Sequence, residues 1–357
     1  MISVLSIAFP FAPVGPNLVG GAEQILTDLD AALVAAGDRS LVVACEGSKP
    51  AGSLFAMPLP HCPDLDEVNR GRYKDTFHAA VDNALASGQV DLVHAHCMDL
   101  FDYEFPAEIP LLITLHLPIG WYRKEMFERY RDRAYFCCVS ESQRREAVGV
   151  VGDAEVIENG VDVPAAQDES RAEFALVMGR ICPEKNAHTA LEAGTKAKTR
   201  VMIGGQVYPY RTHQQYFEEK IQPLIASSRP PADHRFLGPV KPERRQRLLS
   251  QAKCLLHPTL APETSSLVAM EALAAGTPVV AYRSGALPEI VEDGVTGFIV
   301  DDADQMANAI GLAHTISPAA CRNAAQRRFS KQRMIRQYFD TYQRILNEGH
   351  RPRASSC

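Results

Sequence analysis

Residues 262–276 read P-E-T-S-S-L-V-A-M-E-A-L-A-A-G, and the fold we expect for this chain follows from this stretch. Apolar residues recur at helical spacing from Leu267 to the glycine that ends it. The apolar segment that precedes it, residues 252–260, predicts a strand that runs into a loop. Strand, loop and helix in this order are typical of the parallel sheets of α/β proteins.

Two carboxylates in this stretch, Glu263 and Glu271, stand eight positions apart. The pattern predicts Glu263 in the loop before the helix and Glu271 on the helix, with Thr264 or Ser265 as the N-cap. The first N–H groups of a helix have no partner within it, and the helix dipole is positive there, so a diphosphate can bind at that end. An ordinary helix whose two glutamates face solvent has the same spacing.

The motifs around this helix resemble those of a known enzyme class. The E-x7-E pattern is followed by A-A-G-T-P-V-V-A and G-A-L-P-E-I-V-E-D-G-V-T-G-F-I-V, and the similarity runs from about residue 240 to residue 300. These motifs are similar to those of the retaining glycosyltransferases with the two-domain GT-B fold, in the group 1 class called family 4. Many members carry an aromatic-glycine run where this chain has Thr264, Ser265 and Ser266. We therefore expect a tighter loop or a different sugar, while the site at the helix start does not depend on the aromatic residue.

The resemblance implies roles for particular residues of this stretch. Glu263 would hold hydroxyls of the donor sugar, and Glu271 would bind the ribose of its nucleotide. The donor diphosphate would lie at the helix start, against Ser265, Ser266 and Leu267.

Length and composition are those of a globular protein with two domains. The chain has 357 residues, of which 46% are hydrophobic and 22% charged, enough for two cores of ordinary size. The net charge of −6 argues against nucleic-acid binding and a wholly basic membrane surface, although the segments 123–133 and 144–145 are rich in arginine. Nine cysteines without paired spacing are typical of a reduced, cytosolic protein. We expect a cytoplasmic enzyme with at most peripheral contact at the inner face of the membrane.

The rhythm of strands and helices predicts two Rossmann-like domains, with doubly wound parallel sheets that face each other across a cleft. We expect the N-terminal domain over residues 1–165 and the donor-binding domain over residues 166–329. The final helix, residues 330–348, is expected to cross back to the first domain, as the resemblance implies. Residues 349–357 are expected to be a disordered tail.

Two glycines open the first helix, where Gly20, Gly21 and Glu23 stand in the sequence G-G-A-E. Adjacent glycines let a substrate or phosphate approach the backbone, although a capped helix after a turn has the same pattern. The spacing is not the G-x-G-x-x-G of a dinucleotide site, so NAD binding is not supported. The resemblance implies that Gly20 and Gly21 contact the donor phosphates, and Glu23 is assigned to the acceptor side.

Histidines follow two apolar strands, at the carboxyl ends where parallel sheets bind ligands. His94 and His96 end one strand, and His116 ends the next. His94 and His96 could bind a metal, but no third ligand has a suitable spacing, and we expect no metal site. His94 is interpreted as a packed or hydrogen-bonded side chain and His96 as a residue of the acceptor side. The resemblance implies that His116 contacts the donor sugar or its phosphate.

A cationic loop is expected at the start of the second domain. Residues 179–186 carry Arg180 and Lys185 between a strand and a helix, and two cations at a strand end suit a diphosphate leaving group. In the resemblance these side chains neutralise the nucleotide diphosphate in place of a metal ion. Gly205, in a double glycine after the next strand, lets a ligand approach the backbone. The family seats the nucleotide base at the edge that contains Val240.

The predicted reaction is transfer of a hexose from a UDP- or GDP-linked sugar to an acceptor hydroxyl, with retention of the anomeric configuration and without a cofactor. The acceptor stays open among a saccharide, a lipid-linked saccharide, a natural-product aglycone and another small molecule. The chain has no obvious glycosidase pair of nucleophile and acid, and the family implies a front-face mechanism. Two alternatives keep the fold: a nucleotide-sugar epimerase or hydrolase, and a non-catalytic nucleotide-sugar binding protein.

Overall fold

The structure, a computed structural model, describes four stretches of the chain: residues 1–16, 20–58, 67–165 and 171–348. Contacts between Cα atoms divide the chain into two units. Unit 1 holds residues 1–159 and the chain from Gln332 onward, and unit 2 holds residues 160–331. The predicted C-terminal tail lies outside the described residues.

Unit 1 is built on a parallel sheet whose strands are almost wholly apolar, because helices cover both faces of such a sheet. Its strands are β1 Ser3–Ile7, β2 Arg39–Cys45, β3 Ser53–Met57, β4 Leu92–Ala95, β5 Leu111–Leu115, β6 Ala134–Cys138 and β7 Glu155–Val156. The seven strands lie in the order β3-β2-β1-β4-β5-β6-β7 and pair in parallel. The helices that follow in sequence are α1 Gly21–Ala35, α2 Glu67–Ala86, α3 Lys124–Tyr130 and α4 Glu141–Val151.

Unit 2 repeats the same winding with six parallel strands. These are β8 Phe174–Met178, β9 Arg200–Gly204, β10 Arg235–Gly238, β11 Cys254–His257, β12 Val279–Tyr282 and β13 Gly297–Val300. Their order is β10-β9-β8-β11-β12-β13. Its helices are α5 Ala187–Lys196, α6 Arg211–Tyr216, α7 Gln222–Ser227, α8 Pro242–Gln251, α9 Leu267–Ala274, α10 Leu287–Ile290, α11 Ala303–Leu312 and α12 Pro318–Arg328. The strand order changes direction between β1 and β4 in the first sheet and between β8 and β11 in the second. Open α/β sheets bind ligands at such a point, at the carboxyl ends of the strands.

The last helix, α13 Lys331–Glu348, packs into unit 1 from Gln332 onward. Its buried side carries Met334, Tyr338, Tyr342 and Ile345. Among the residues that the structure describes, no helix is both long and apolar enough to span a membrane.

The boundary between the units falls between Asn159 and Gly160, and backbone pairing ties the chain after it to the end of unit 2. The N–H of Val161 donates to the carbonyl of Phe329 (2.8 Å), and the N–H of Lys331 donates to the carbonyl of Val161 (2.9 Å). A Cβ on Gly160 would lie 2.8 Å from the Cα of Lys331, so only glycine allows this approach. Residues 160–165, which the sequence analysis assigns to the first domain, thus belong to unit 2.

Candidate active site

The loop before α9 brings together Lys185, His257, Glu263 and Ser266. The Lys185 ammonium forms an ion pair with Oε1 of Glu263. Nε2 of His257 lies 3.4 Å from that carboxylate oxygen and 3.4 Å from Oγ of Ser266. These residues meet because β8 and β11 are neighbours, so the loops after them share one edge of the sheet.

The Glu263 carboxylate is largely buried, with 12% of its side chain exposed, and is ionised. Burial acts to raise its pKa, but the hydrogen bond from His257 and the charge of Lys185 outweigh it and lower the pKa to about 2. An ionised carboxylate only accepts hydrogen bonds, which is the chemistry needed to hold sugar hydroxyls.

Backbone contacts hold the two loops against each other. The carbonyl of Glu184 accepts hydrogen bonds from the N–H of Leu260 (2.8 Å) and from Oγ1 of Thr259 (3.2 Å). Asn186 has a left-handed backbone conformation with φ 55°, and its side-chain amide donates to the carbonyl of Pro258 (3.1 Å). Lys185 lies between Glu184 and Asn186 in the sequence. The hydrogen bonds of these two neighbours therefore fix the backbone from which the Lys185 side chain extends.

The N-cap of α9 is Ser266, and the predicted N-cap at Thr264 or Ser265 is wrong. Oγ of Ser266 accepts from the N–H of Ala269 (3.4 Å). The preceding chain cannot join the helix because a turn holds it: the carbonyl of Glu263 accepts from the N–H of Ala286 (2.7 Å).

Gly285 makes this contact with the Glu263 backbone possible. It has φ 52°, and a Cβ there would lie 2.1 Å from the carbonyl oxygen of Glu263. Ser284 adds a hydrogen bond from its Oγ to the carbonyl of Ala261 (2.7 Å). The G-A-L-P-E turn therefore fixes the position of Glu263.

Glu271 lies on α9, as predicted, and has one engaged and one unengaged oxygen. Oε1 accepts from Nη2 of Arg245 (2.9 Å). Oε2 is buried without a hydrogen-bond partner among the described residues, and the same holds for Oγ of Ser265. Burial raises the pKa of Glu271 although Arg245 opposes it. Buried polar atoms without partners are rare in native proteins, so these two oxygens are candidate contacts for a ligand.

Three other residues of unit 2 are predicted to bind the donor: Arg180, Gly205 and Val240. Arg180 is exposed, and its charge acts on Glu184 and His213. A Cβ on Gly205 would lie 1.8 Å from the carbonyl oxygen of Gly179, so packing between loops explains this glycine without a ligand. Val240 is half-buried against the hydrophobic core.

Three histidines of unit 1, His94, His96 and His116, lie in contact with one another. His94 is a structural residue, as interpreted: Nδ1 lies 2.7 Å from the Tyr342 hydroxyl and Nε2 lies 2.8 Å from Oγ1 of Thr114. Nδ1 of His96 lies 3.0 Å from Nε2 of His116, while Nε2 of His96 is buried without a partner among the described residues. Burial lowers the pKa of His116 to about 4 and that of His96 well below its usual range, so both rings are neutral.

The G-G-A-E sequence opens α1 as predicted. Gly20 has φ 151°, and a Cβ there would lie 2.1 Å from Oε2 of Glu23, so the carboxylate folds back over the glycine. Burial raises the pKa of Glu23. Gly21 is the first residue of the helix and is exposed.

Two residues around α9, His257 and Arg245, have no assigned role in the sequence analysis. His257 ends β11 and contacts both Glu263 and Ser266, and its position at a strand end is the signal that could have identified it. Arg245 holds Glu271 from α8, and no local pattern distinguishes it from its neighbours Arg244 and Arg247. One group of side chains in the described part of the chain also has the composition of a metal site: Cys182, Glu184 and His213.

Two family models together cover most of the chain. The model of the group 1 glycosyl transferases matches residues 164–328, and the model of glycosyltransferase family 4 matches residues 19–164. The chain belongs to the group 1 glycosyltransferases. The glycosyltransferase activity that this membership shows agrees with the resemblance found in the motifs around α9.

Several known proteins are similar to this glycosyltransferase. The phosphatidyl-myo-inositol mannosyltransferase of Mycolicibacterium smegmatis is 28% identical over 278 residues, 71% of this chain and 69% of the relative. The protein of the same name from Mycobacterium tuberculosis is 26% identical over 339 residues, 84% of this chain and 85% of the relative. The sucrose-phosphate synthase of Thermosynechococcus elongatus has a TM-score of 0.78 at 18% identity, with 98% of this chain and 100% of that chain covered. The predicted GT-B fold is thereby confirmed.

Proposed function

We propose that this glycosyltransferase moves a hexose from a nucleotide diphosphate sugar to an acceptor hydroxyl, with retention at the anomeric carbon and without a metal ion in the transfer step. The observation that carries the proposal is the cluster of Lys185, Glu263 and Ser266 at the start of α9. It combines a cation, an ionised acceptor of hydrogen bonds and a helix N-terminus, which are the groups that a sugar diphosphate requires.

The departing diphosphate carries the charge that develops during transfer. Lys185, Arg180 and the first N–H groups of α9, at Leu267 and Val268, would stabilise it. Donors aimed at developing charge commonly supply the largest catalytic contribution. Two cations and a helix start supply the charge that a divalent ion would otherwise provide, so added Mg²⁺ is expected to leave kcat unchanged.

The two glutamates would hold the two sugars of the donor. Glu263 would accept hydrogen bonds from hexose hydroxyls and orient the anomeric carbon. Oε2 of Glu271, which has no hydrogen-bond partner among the described residues, would accept one from a ribose hydroxyl, and Ser265 would donate to a phosphate oxygen. Val240 would lie beside the nucleotide base, and Gly205 would let the donor approach the backbone.

The acceptor hydroxyl would attack the face from which the diphosphate leaves. Its proton would pass to an oxygen of the leaving phosphate, the new glycosidic bond would form at the anomeric carbon, and the bond to the phosphate would break. This front-face course gives retention without a nucleophilic side chain. His116 would donate a hydrogen bond to the donor sugar or its phosphate, Gly20 and Gly21 would approach the phosphates, and Glu23 and His96 would serve the acceptor.

The names of the two relatives suggest where to look for donor and acceptor. Both are called phosphatidyl-myo-inositol mannosyltransferases. We propose a GDP- or UDP-linked hexose as donor and a polyol, saccharide or lipid-linked hydroxyl as acceptor, with peripheral membrane contact if the acceptor is a lipid.

A donor screen followed by product analysis tests the proposal. Thermal stabilisation is measured against GDP-mannose, UDP-glucose, UDP-galactose and UDP-N-acetylglucosamine; a donor at 100 times its Kd adds about 2.7 kcal/mol to the free energy of unfolding. The stabilising donor is then incubated with phosphatidylinositol, inositol and simple sugars, and the anomeric configuration of the product is determined by NMR. An inverted product contradicts retention. Conversion of the donor without acceptor identifies an epimerase or hydrolase, and tight binding without turnover a binding protein.

A further inference from the structure

A second cluster of reactive side chains includes two residues of the loop that carries Lys185. One ligand atom each from Cys182, Glu184 and His213 lies within 4.8 Å of the others. Cys182 is fully buried, His213 is 8% exposed and Glu184 is half-buried. Hydrophobic packing does not explain a thiol, a carboxylate and an imidazole in one place.

Hydrogen bonding leaves part of this cluster unexplained. The Cys182 thiol has an acceptor 3.8 Å away in the carbonyl of Arg180, and it also bonds to the Glu184 carboxylate. Nδ1 of His213 is buried and has no hydrogen-bond partner among the described residues. A buried ring nitrogen without a partner beside a thiol and a carboxylate indicates a missing ligand.

We propose that Cys182, Glu184 and His213 form a binding site for one divalent transition-metal ion of the Zn²⁺ class. Sulfur, nitrogen and oxygen ligands together select Zn²⁺ and its neighbours, whereas Mg²⁺ and Ca²⁺ take oxygen ligands. Three protein ligands leave one position of a tetrahedral ion for water or another small ligand.

The charges of the three groups suit this ion. On binding, the thiol proton leaves to solvent and a sulfur–metal bond forms, so the thiolate, the carboxylate and the ion sum to zero charge. His213 would bind the ion through a nitrogen of its neutral ring.

The ion would join two segments that are far apart in sequence. Cys182 and Glu184 flank the proline that begins the short turn ending at Lys185, while His213 lies on α6. The rings of Tyr208 and Tyr210 stand edge-on to the His213 ring, with centroids at 6.4 and 5.1 Å. A metal ion here would hold the loop of residues 179–186 against α6, and the site does not depend on the donor that the enzyme uses.

Cobalt titration tests the site directly. The full chain without an affinity tag is stripped with chelator and titrated with Co²⁺, whose absorption includes a thiolate charge-transfer band only when sulfur is bound. We expect one equivalent of Co²⁺ with this band, displacement by Zn²⁺, and a Zn²⁺-dependent rise in Tm. Cys182→Ser is expected to lose the band, and His213→Gln to weaken binding at least about tenfold.

Cys254→Ala is the matched control, because Cys254 is a fully buried thiol of the same unit on β11. It is expected to keep the band and the affinity. If Cys182→Ser does not fold, Glu184→Gln replaces it, with weaker binding expected as for His213→Gln. The proposal is overturned if the wild-type chain shows no charge-transfer band, or if Cys182→Ser keeps it, or if neither His213→Gln nor Glu184→Gln weakens binding.

Discussion

The ammonium of Lys185 and the carboxylate of Glu263 form an ion pair although 78 positions separate them in the sequence. Their side chains are 25% and 12% exposed, so both charges are largely removed from water. The pair exists because the loops after β8 and β11 meet at one edge of the sheet of unit 2. It places a cation beside a fixed carboxylate at the start of α9.

This pair should behave as one unit in a double-mutant cycle. Lys185→Met and Glu263→Gln are each expected to lower kcat by about 100-fold or more, because each removes a group that acts on the donor. Each should also lower the free energy of unfolding by about 1–3 kcal/mol, because the remaining partner is largely removed from water and loses its opposite charge. The double variant should lose less stability than the sum of the two. Urea unfolding and initial rates measure both effects.

The exposed pair of Lys196 and Asp304 provides the control for that cycle, since the side chains are 50% and 77% exposed. Lys196→Met should change the free energy of unfolding by less than about 1 kcal/mol and leave the rate unchanged. Additive effects at Lys185 and Glu263 would contradict the coupling.

Gly285 should be intolerant of even one added carbon, because its Cβ would meet the carbonyl oxygen of Glu263 at 2.1 Å. Gly294 is a matched control: it also has positive φ, at 73°, but a Cβ there has no neighbour within 4 Å. Gly294→Ala should cost only the backbone strain of about 1–2 kcal/mol. Gly285→Ala should cost more and also lower activity, as thermal unfolding and initial rates will show. Equal effects of the two changes would mean that the collision is relieved elsewhere.

Glu271 should act on donor affinity more than on turnover, if it binds the ribose as proposed. Glu271→Gln keeps the shape but weakens the acceptor that ribose needs, so KM for the donor should rise about tenfold while kcat stays near its normal value. Glu243→Gln, at an exposed carboxylate on α8, should change neither constant. A fall in kcat with an unchanged KM would assign Glu271 a role in the transition state instead.

The histidine cluster should make the protein sensitive to acid. Burial lowers the pKa of His116 from 6.5 to about 4, so the folded state resists protonation while the unfolded state accepts it. The stabilising contribution is therefore complete above about pH 6.5 and is lost as the pH falls towards 4.

Unfolding free energies measured across this pH range test the sensitivity. His116→Gln should flatten the dependence, whereas His314→Gln, at an exposed residue of unit 2, should leave it unchanged. A dependence that is equally steep in the wild type and in His116→Gln would assign the acid sensitivity to other groups.

Strong local patterns predicted most of the fold, and the failures fall where the pattern is weak. Apolar strands such as β5 are buried on both faces and stand out in the sequence. Strand β3 was not predicted, because Ser53–Met57 lies at the edge of its sheet and is partly exposed, which weakens the apolar signal. The N-cap of α9 was misplaced because three hydroxyl residues in a row can all cap a helix, and a turn distant in sequence selects Ser266.

The sequence by itself determined the alternation of strands and helices, the helix after Glu263 and the family motifs around it, because these depend on neighbours along the chain. Only the tertiary structure decided which side chains meet: Lys185 with Glu263, Arg245 with Glu271, and Cys182 with His213. Each pair joins loops or helices whose contact depends on the order of strands in a sheet and on the folding of loops over its edge. No local spacing encodes such a contact, since the two residues come together only when the sheet has formed.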